Sequence, residues 1–202
     1  MPTDAINRYP EERRIASVLF ADVQGFTPLA EQLDFETVSD LIKSIWNRLD
    51  KVIELHNGYI DKHLGDGIMA VWGAPFAGDN DAAEAVSAGL DLIKALNEYC
   101  QKTRIPGAEQ LKLRVGINSG PVFAGYVGTR NEYTVIGDPV NLASRLQSLT
   151  KDLGHPLLIS AETQRLLNGE FHTLTAVGEL EVRGKQHPVP VFTPARHMVQ
   201  SR

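Results

Sequence analysis

Two aspartates occur where carboxylates could hold a divalent cation. Asp22 ends the apolar run Ile15–Asp22, which predicts a strand buried on both faces. Asp66 lies between two strand-like segments, and its Asp-Gly pair is the strongest hairpin signal in the chain. If the two strands are neighbours, both carboxylates meet at one sheet edge, as in sites that hold Mg²⁺ against nucleotide phosphates. The alternative is that Asp66 is only a turn aspartate.

Two further segments combine residue types that suit phosphate and sugar. Gly25 and Thr27 follow Asp22 in a turn that leads into a helix, where backbone N–H groups can point at phosphate. Asn141 and Arg145 are four residues apart on a predicted helix and share one face. An amide and a guanidinium there could hold a sugar and a transferring phosphoryl group. A plain turn and a solvated helix face are the alternatives.

Three basic residues lie on predicted strands. Lys62 precedes Asp66 by four residues, and Arg114 and Arg183 lie on the polar sides of their strands. A surface position explains Lys62 equally well, and surface ion pairs explain the two arginines. The six histidines show no metal-ligand spacing, and the sequence contains no P-loop and no Ser/His/Asp arrangement.

Composition limits the class of protein. The chain has 202 residues, of which 43% are hydrophobic and 22% charged, which predicts one folded domain. Its net charge of −5 argues against broad nucleic-acid binding. The single cysteine, Cys100, excludes an intrachain disulfide and favours a reducing, cytoplasmic setting. No apolar run approaches the roughly 20 residues needed to cross a bilayer, so we expect no membrane contact by this domain.

The order of predicted elements indicates an α+β fold. It reads strand–helix–strand–strand–helix–strand, a ferredoxin-like βαββαβ core, followed by additional C-terminal strands and a helix. Residues 36–57 predict a long amphipathic helix capped by Gly58, and Asp81 is predicted to cap the next. Residues 120–128 are glycine-rich and predict a hairpin or arm, and a closing hairpin is predicted at 179–183 and 189–192.

Taken together, these segments resemble the class III nucleotidyl cyclase catalytic domain. The resemblance covers residues 14 to 192. Four stretches carry it in the right order, namely FADVQGFT (20–27), KHLGD (62–66), RVGINSG (114–120) and TVIGDPVNLASR (134–145).

The resemblance implies cyclisation of a nucleoside triphosphate to the 3′,5′-cyclic monophosphate and pyrophosphate. Asp22 and Asp66 match the metal-binding aspartates, with the Val23 carbonyl nearby. They would hold two divalent cations, Mg²⁺ or Mn²⁺, with Ca²⁺ accepted at one site. The expected phosphate-binding residues are Gly25, Phe26, Thr27, Arg114 and Arg183. Asn141 would position the ribose and Arg145 would stabilise charge at the α-phosphate. Arg183 replaces a family lysine.

In this family the positions of Lys62 and Thr134 select the base. Lysine can donate to adenine N1, whereas guanine carries a hydrogen there, so Lys62 indicates ATP and an adenylate cyclase. Thr134 is similar to the class IIIb subgroup, which motivates the hypothesis of a bicarbonate response.

The family forms its site between two catalytic domains, so we expect a homodimer. One chain would supply Asp22, Asp66 and Arg114, and the other would supply the remaining side chains. The alternatives are a guanylate cyclase and a catalytically silent nucleotide-binding or dimerisation domain. We expect the catalytic domain at 14–195, a linker at 1–13 from an upstream regulatory domain, and a tail at 196–202.

Overall fold

The computed structural model describes residues 9–128, 131–169, 171, 173–181 and 188–194. The strands are β1 (Glu12–Gln24), β2 (Tyr59–Leu64), β3 (Gly67–Trp72), β4 (Lys112–Val127), β5 (Glu132–Ile136), β6 (Leu157–Ser160), β7 (Leu174–Leu180) and β8 (Val189–Pro194). The helices are α1 (Phe26–Ala30), α2 (Phe35–Leu55), α3 (Asp81–Lys102), α4 (Asp138–Leu153) and α5 (Ala161–Leu166), with a 3₁₀ turn at Ala108–Gln110.

All the strands form one sheet, and the predicted fold class is confirmed. The core strands lie in the order β2-β3-β1-β4, with β1 antiparallel to both neighbours. With α2 and α3 as crossovers this is the ferredoxin-like βαββαβ arrangement. Strands β6, β8 and β7 extend the sheet beyond β4, and β6 runs parallel to β4. No helix in these ranges is long and apolar enough to cross a membrane.

Helices α2 and α3 cover one face of the sheet and form the main core. Helix α2 buries a stripe at three- and four-residue spacing, made of Leu41, Ile45, Leu49 and Ile53. Its N-cap Asp34 accepts a hydrogen bond from the Thr37 N–H at 2.8 Å, which satisfies a backbone donor that has no partner within the helix. This packing holds the hairpin of β2 and β3 against β1.

Helix α4 packs on the opposite face of the sheet at very close range. A Cβ at Gly116 of β4 would lie 2.1 Å from the Gln147 nitrogen and 2.5 Å from the Ala143 carbonyl oxygen. Only glycine allows two backbones to approach this closely. Gly116 therefore fixes the depth of α4, the helix that carries Asn141 and Arg145.

Two strands are longer than their sequence patterns predict. Strand β1 begins at Glu12 and ends at Gln24, because its backbone pairs with β4 over its whole length. The glycine-rich segment does not begin a separate hairpin at Gly120, since Gly120 pairs with Ala16 and stays within β4. A hairpin does form further on, between the end of β4 and β5.

The predicted helix caps are wrong at two positions. The residue with a positive φ after α2 is Asn57, at 58°, and not Gly58. Glycine is required at 58 for another reason, because a Cβ there would lie 2.6 Å from the Trp72 ring. Asp81 is the first residue of α3 rather than its cap, and its carboxylate accepts hydrogen bonds from the Gly78 N–H.

Gly116→Ala is expected to lower the free energy of unfolding by about 3 kcal/mol, since the new Cβ meets backbone that cannot move aside. Denaturant unfolding followed by circular dichroism measures the change. Gly78→Ala is the matched control, because its Cβ would meet only the Asp81 carboxylate, at 3.0 Å, which can rotate. Equal unfolding midpoints for the two variants would contradict the close packing of α4.

Candidate active site

The structure brings Asp22 and Asp66 to the same edge of the sheet. Asp22 pairs in register with Gly67, the residue after Asp66. The Val23 N–H donates to the Asp66 carbonyl oxygen at 3.2 Å, which ties the turn between β2 and β3 to β1. Gly65 in that turn has a φ of 68°, a conformation that favours glycine. Both aspartates and Val23 line one open cleft of about 340 Å³.

The two carboxylates repel each other. Burial raises the pKa of Asp22 above its usual value, the Asp66 charge raises it further, and Arg114 lowers it. Among the described residues no three His, Cys, Asp or Glu side chains are grouped to hold a metal. Two carboxylate ligands suit Mg²⁺ or Mn²⁺ when phosphate oxygens and water complete the coordination. The residues therefore fit divalent cations that bind together with a phosphate ligand.

Arg114 lines the same cleft and is held there by Gln24. Its Nε donates to Gln24 Oε1 at 2.8 Å, and its Nη2 donates to the same oxygen. Its Nη1 is buried and has no hydrogen-bond partner within the described ranges. Because an unsatisfied buried donor is unfavourable, this arrangement fits an anionic ligand in the cleft.

The turn after β1 lies beside these charges. Gly25 precedes α1 with a φ of 88°, and both Gly25 and Thr27 line the cleft. Phe26 between them is half-buried and packs against the main core instead. The backbone of this turn is thus anchored by Phe26 and placed next to Asp22.

Lys62 and Thr134 meet elsewhere on the same chain. The Lys62 Nζ donates to Thr134 Oγ1 at 3.4 Å, across a separation of 72 residues in sequence. Neither residue lines the cleft that contains Asp22. The pair joins strand β2 to strand β5, and it brings together the two positions that the resemblance assigns to base selection.

Asn141 and Arg145 lie on exposed positions of α4, four residues apart as predicted. They also lie outside the lining of the Asp22 cleft. Arg183 lies outside the described residues. The described site residues therefore form a cleft group of Asp22, Val23, Asp66, Arg114 and the turn, and a second group that does not line this cleft.

Comparison with known proteins identifies the family to which this fold belongs. The sequence profile of the adenylate and guanylate cyclase catalytic domain matches residues 9–193. The chain belongs to this cyclase family. The class III resemblance of its four sequence stretches is thereby confirmed.

The relatives include both kinds of cyclase. A receptor-type guanylate cyclase of Caenorhabditis elegans is 33% identical over 186 residues, which cover 87% of this chain and 16% of that protein. The adenylyl cyclase CyaB from P. aeruginosa superposes with a TM-score of 0.78 and 33% identity, covering 93% of this chain and 98% of that one. The guanylyl cyclase Cya2 superposes with a TM-score of 0.79 and 31% identity, covering 90% and 92%. The cyclase domain thus spans about one sixth of the worm relative.

Several residues of the cleft that contains Asp22 were not found from the sequence. Gln147, Ser148 and Lys151 of α4 line it, and Gln24 holds Arg114. Gln147 and Lys151 are four residues apart, the same helical spacing that drew attention to Asn141 and Arg145, so a signal was present. Gln24 carried no such signal, because its contact with Arg114 spans 90 residues.

Asp66→Asn is expected to lower the pKa of Asp22, because it removes a charge that raises it. Titration of the aspartate carboxyl carbons by NMR, without metal, measures the shift. Asp40→Asn, an exposed acid on α2, should leave the pKa of Asp22 unchanged. No shift in the Asp66→Asn variant would mean that the carboxylates do not interact.

The same coupling predicts a pH dependence of stability. With its folded-state pKa raised, Asp22 contributes stability below its unfolded-state pKa, and that contribution is lost as the pH rises through the folded-state value. Thermal unfolding between the unfolded-state and folded-state pKa values of Asp22 should therefore show a smaller loss of stability with rising pH in Asp66→Asn than in the natural sequence.

Proposed function

We propose that this cyclase domain converts ATP to 3′,5′-cyclic AMP and pyrophosphate. The observation that carries the proposal is the 3.4 Å contact between Lys62 Nζ and Thr134 Oγ1. An ammonium group only donates hydrogen bonds, whereas a hydroxyl also accepts them. Adenine presents an acceptor at N1 beside an amino group, which matches this pair. Guanine presents a hydrogen at N1, which would face the ammonium donor.

The cleft group receives the triphosphate. Cations held by Asp22 and Asp66 would lower the pKa of the ribose 3′-hydroxyl and neutralise charge on the triphosphate. The free Nη1 donor of Arg114 binds a phosphate oxygen, and Gln24 keeps the guanidinium oriented toward it. Backbone donors of the turn at Gly25 to Thr27 add further contacts to the phosphates.

Two residues of the second group lie on α4 and act on the ribose and the α-phosphate. Asn141 orients the ribose, and Arg145 stabilises the charge that develops at the α-phosphate during in-line attack. Removing a stabiliser of this kind lowers the rate by about 10²–10³. Arg183, as a further phosphate ligand, stays a prediction.

A homodimer with two shared sites follows from this division of residues. The described chain does not bring Lys62, Asn141 or Arg145 to the cleft that contains Asp22. A symmetric pair lets each copy supply the group that the other lacks. The hairpin of β4 and β5 supports this arrangement, because Phe123, Val127 and Ile136 are between 38% and 48% exposed there. Such exposed apolar side chains suit a protein partner.

A guanylate cyclase is the second candidate, because guanylate cyclases are among the similar proteins. Lys62 argues against it for the reason given above. A silent nucleotide-binding domain is the third candidate. The orphaned Arg114 donor and the repelling carboxylates argue against it, since both are unfavourable without a ligand.

The setting of the domain completes the proposal. We place it in the cytoplasm, where ATP is available, under control of an upstream regulatory domain. The bicarbonate response suggested by Thr134 also stays a prediction.

ATP and GTP supplied side by side with Mg²⁺ or Mn²⁺ are expected to yield mainly cyclic AMP. Lys62→Glu should lower kcat/KM for ATP about tenfold or more and raise the relative use of GTP, because a carboxylate accepts from guanine N1–H. Product chromatography measures both. Lys43→Glu makes the same charge change at an exposed position of α2 and should keep the preference. A GTP preference of the natural chain would overturn the proposed substrate.

Mixing Asp22→Ala chains with Arg145→Ala chains is expected to recover activity that each variant lacks. With free exchange, half of the dimers are mixed and each has one intact site, so about one quarter of the natural rate should return. The cyclase rate after co-refolding measures this recovery. Two separately refolded, unmixed samples are the control, and no recovery on mixing would contradict the shared site.

A further inference from the structure

Asp61 is a buried acid beside the residue that is proposed to read the base. Its side chain is 0% exposed, and its Oδ2 lies 3.1 Å from Lys62 Nζ, whose own side chain is 41% exposed. Neither Asp61 oxygen has a well-aligned hydrogen-bond partner among the described residues, so the contact with Lys62 is ionic. A carboxylate removed from water in this way depends on a nearby cation.

A strand irregularity makes this contact possible. Neighbouring residues of a regular strand point to opposite faces, which would keep Asp61 and Lys62 apart. The pairing of β2 with β3 shifts register between Ile60 and Lys62, so Asp61 has no partner in the ladder. Bulges of this kind redirect side chains and are frequent next to active sites. Here the bulge puts an acid under the ammonium group of its neighbour.

The contacts of Lys62 leave one donor for a ligand. An ammonium group has three N–H donors and no acceptor. One donates to Thr134 Oγ1 at 3.4 Å, and the ammonium group also lies 3.1 Å from Asp61 Oδ2 in an ionic contact. Two fixed anchors restrict a side chain that is otherwise flexible. A donor remains for the base.

We propose that Asp61 is a positioning residue that holds Lys62 as an oriented ammonium donor and thereby sets the preference for a purine with an acceptor at N1. This inference rests on the proposed reading of adenine by Lys62. The ammonium group of Lys62 has no acceptor for guanine N1–H. Asp61 touches neither substrate nor metal in this role.

A second observation concerns the surroundings of the Asp61 charge. Burial raises the pKa of Tyr59, and the neighbouring charge of Asp61 raises it further. Tyr59 lies on the same strand and packs edge-on against Tyr133, the residue before Thr134. The Asp61 charge therefore lies near the contact of Tyr59 with Tyr133, beside the base-reading pair.

The test compares ATP with 1-deaza-ATP, in which a C–H group replaces N1. The natural chain should use ATP about tenfold or more better in kcat/KM, because only ATP accepts from Lys62. Asp61→Asn should lower kcat/KM for ATP about tenfold and change that for 1-deaza-ATP less than about twofold. Asp50→Asn is the matched control, because Asp50 pairs at 3.0 Å with His63, the neighbour of Lys62, and should alter neither value.

The outcomes separate the two proposals. If the natural chain uses both nucleotides equally, the proposed contact of Lys62 with N1 is wrong, and the role of Asp61 is wrong with it. If the natural chain discriminates and Asp61→Asn discriminates equally well, only the role of Asp61 is overturned. An equal loss with both nucleotides would indicate a merely structural residue and would also overturn it.

Unfolding measurements test the ion pair between Asp61 and Lys62 without using activity or an Asp61 variant. Lys62→Met leaves the buried Asp61 charge without its cation and should lower the midpoint of thermal unfolding at neutral pH. Lys62→Arg keeps the charge and should melt close to the natural chain. If Lys62→Met is as stable as Lys62→Arg, the pairing of Asp61 with Lys62 is overturned.

Discussion

Strand β1 pairs antiparallel with β3 on one side and β4 on the other, and the cleft that contains Asp22 depends on this double register. Asp22 lies opposite Gly67 of β3 and opposite Arg114 of β4. The register thus places an acid, the turn with Asp66 and a guanidinium within one cleft. A slip of one residue would turn Asp22 to the other face of the sheet and break the cleft. Leu19 and Val23 are buried on the face that α2 and α3 cover, and this burial holds the register in place.

Charge is distributed unevenly over an acidic chain. Asp22 and Asp66 line the same cleft, where their repulsion favours cations, while Arg114 carries a buried donor that favours an anion. A nucleoside triphosphate with divalent cations satisfies both demands at once. At the second group, Asp61 compensates the charge of Lys62 inside the protein. The unpaired Arg114 Nη1 and the two repelling carboxylates thus lie where the proposed ligand can neutralise them.

Local patterns were sufficient for much of this cleft. The apolar run that ends at Asp22 and the Asp-Gly turn at Asp66 predicted two strands whose ends meet, and the structure has them adjacent. Contacts between distant segments were not predictable in this way. The support of Arg114 by Gln24 and the meeting of Lys62 with Thr134 join residues 90 and 72 positions apart. The spacing of residues along the sequence does not show which distant side chains will meet in the fold.

The sequence by itself determined the order of the elements, the α+β core and the chemical types of the site residues, because apolar periodicity and turn residues act locally. Only the tertiary structure decided that glycine is needed at 116 for the approach of α4 and at 58 for the Trp72 ring. It also decided that a bulge in β2 places Asp61 beside the Lys62 ammonium group. It also decided which residues share a cleft and which do not. The physical reason is that close packing and strand register are set by segments that are far apart in the chain.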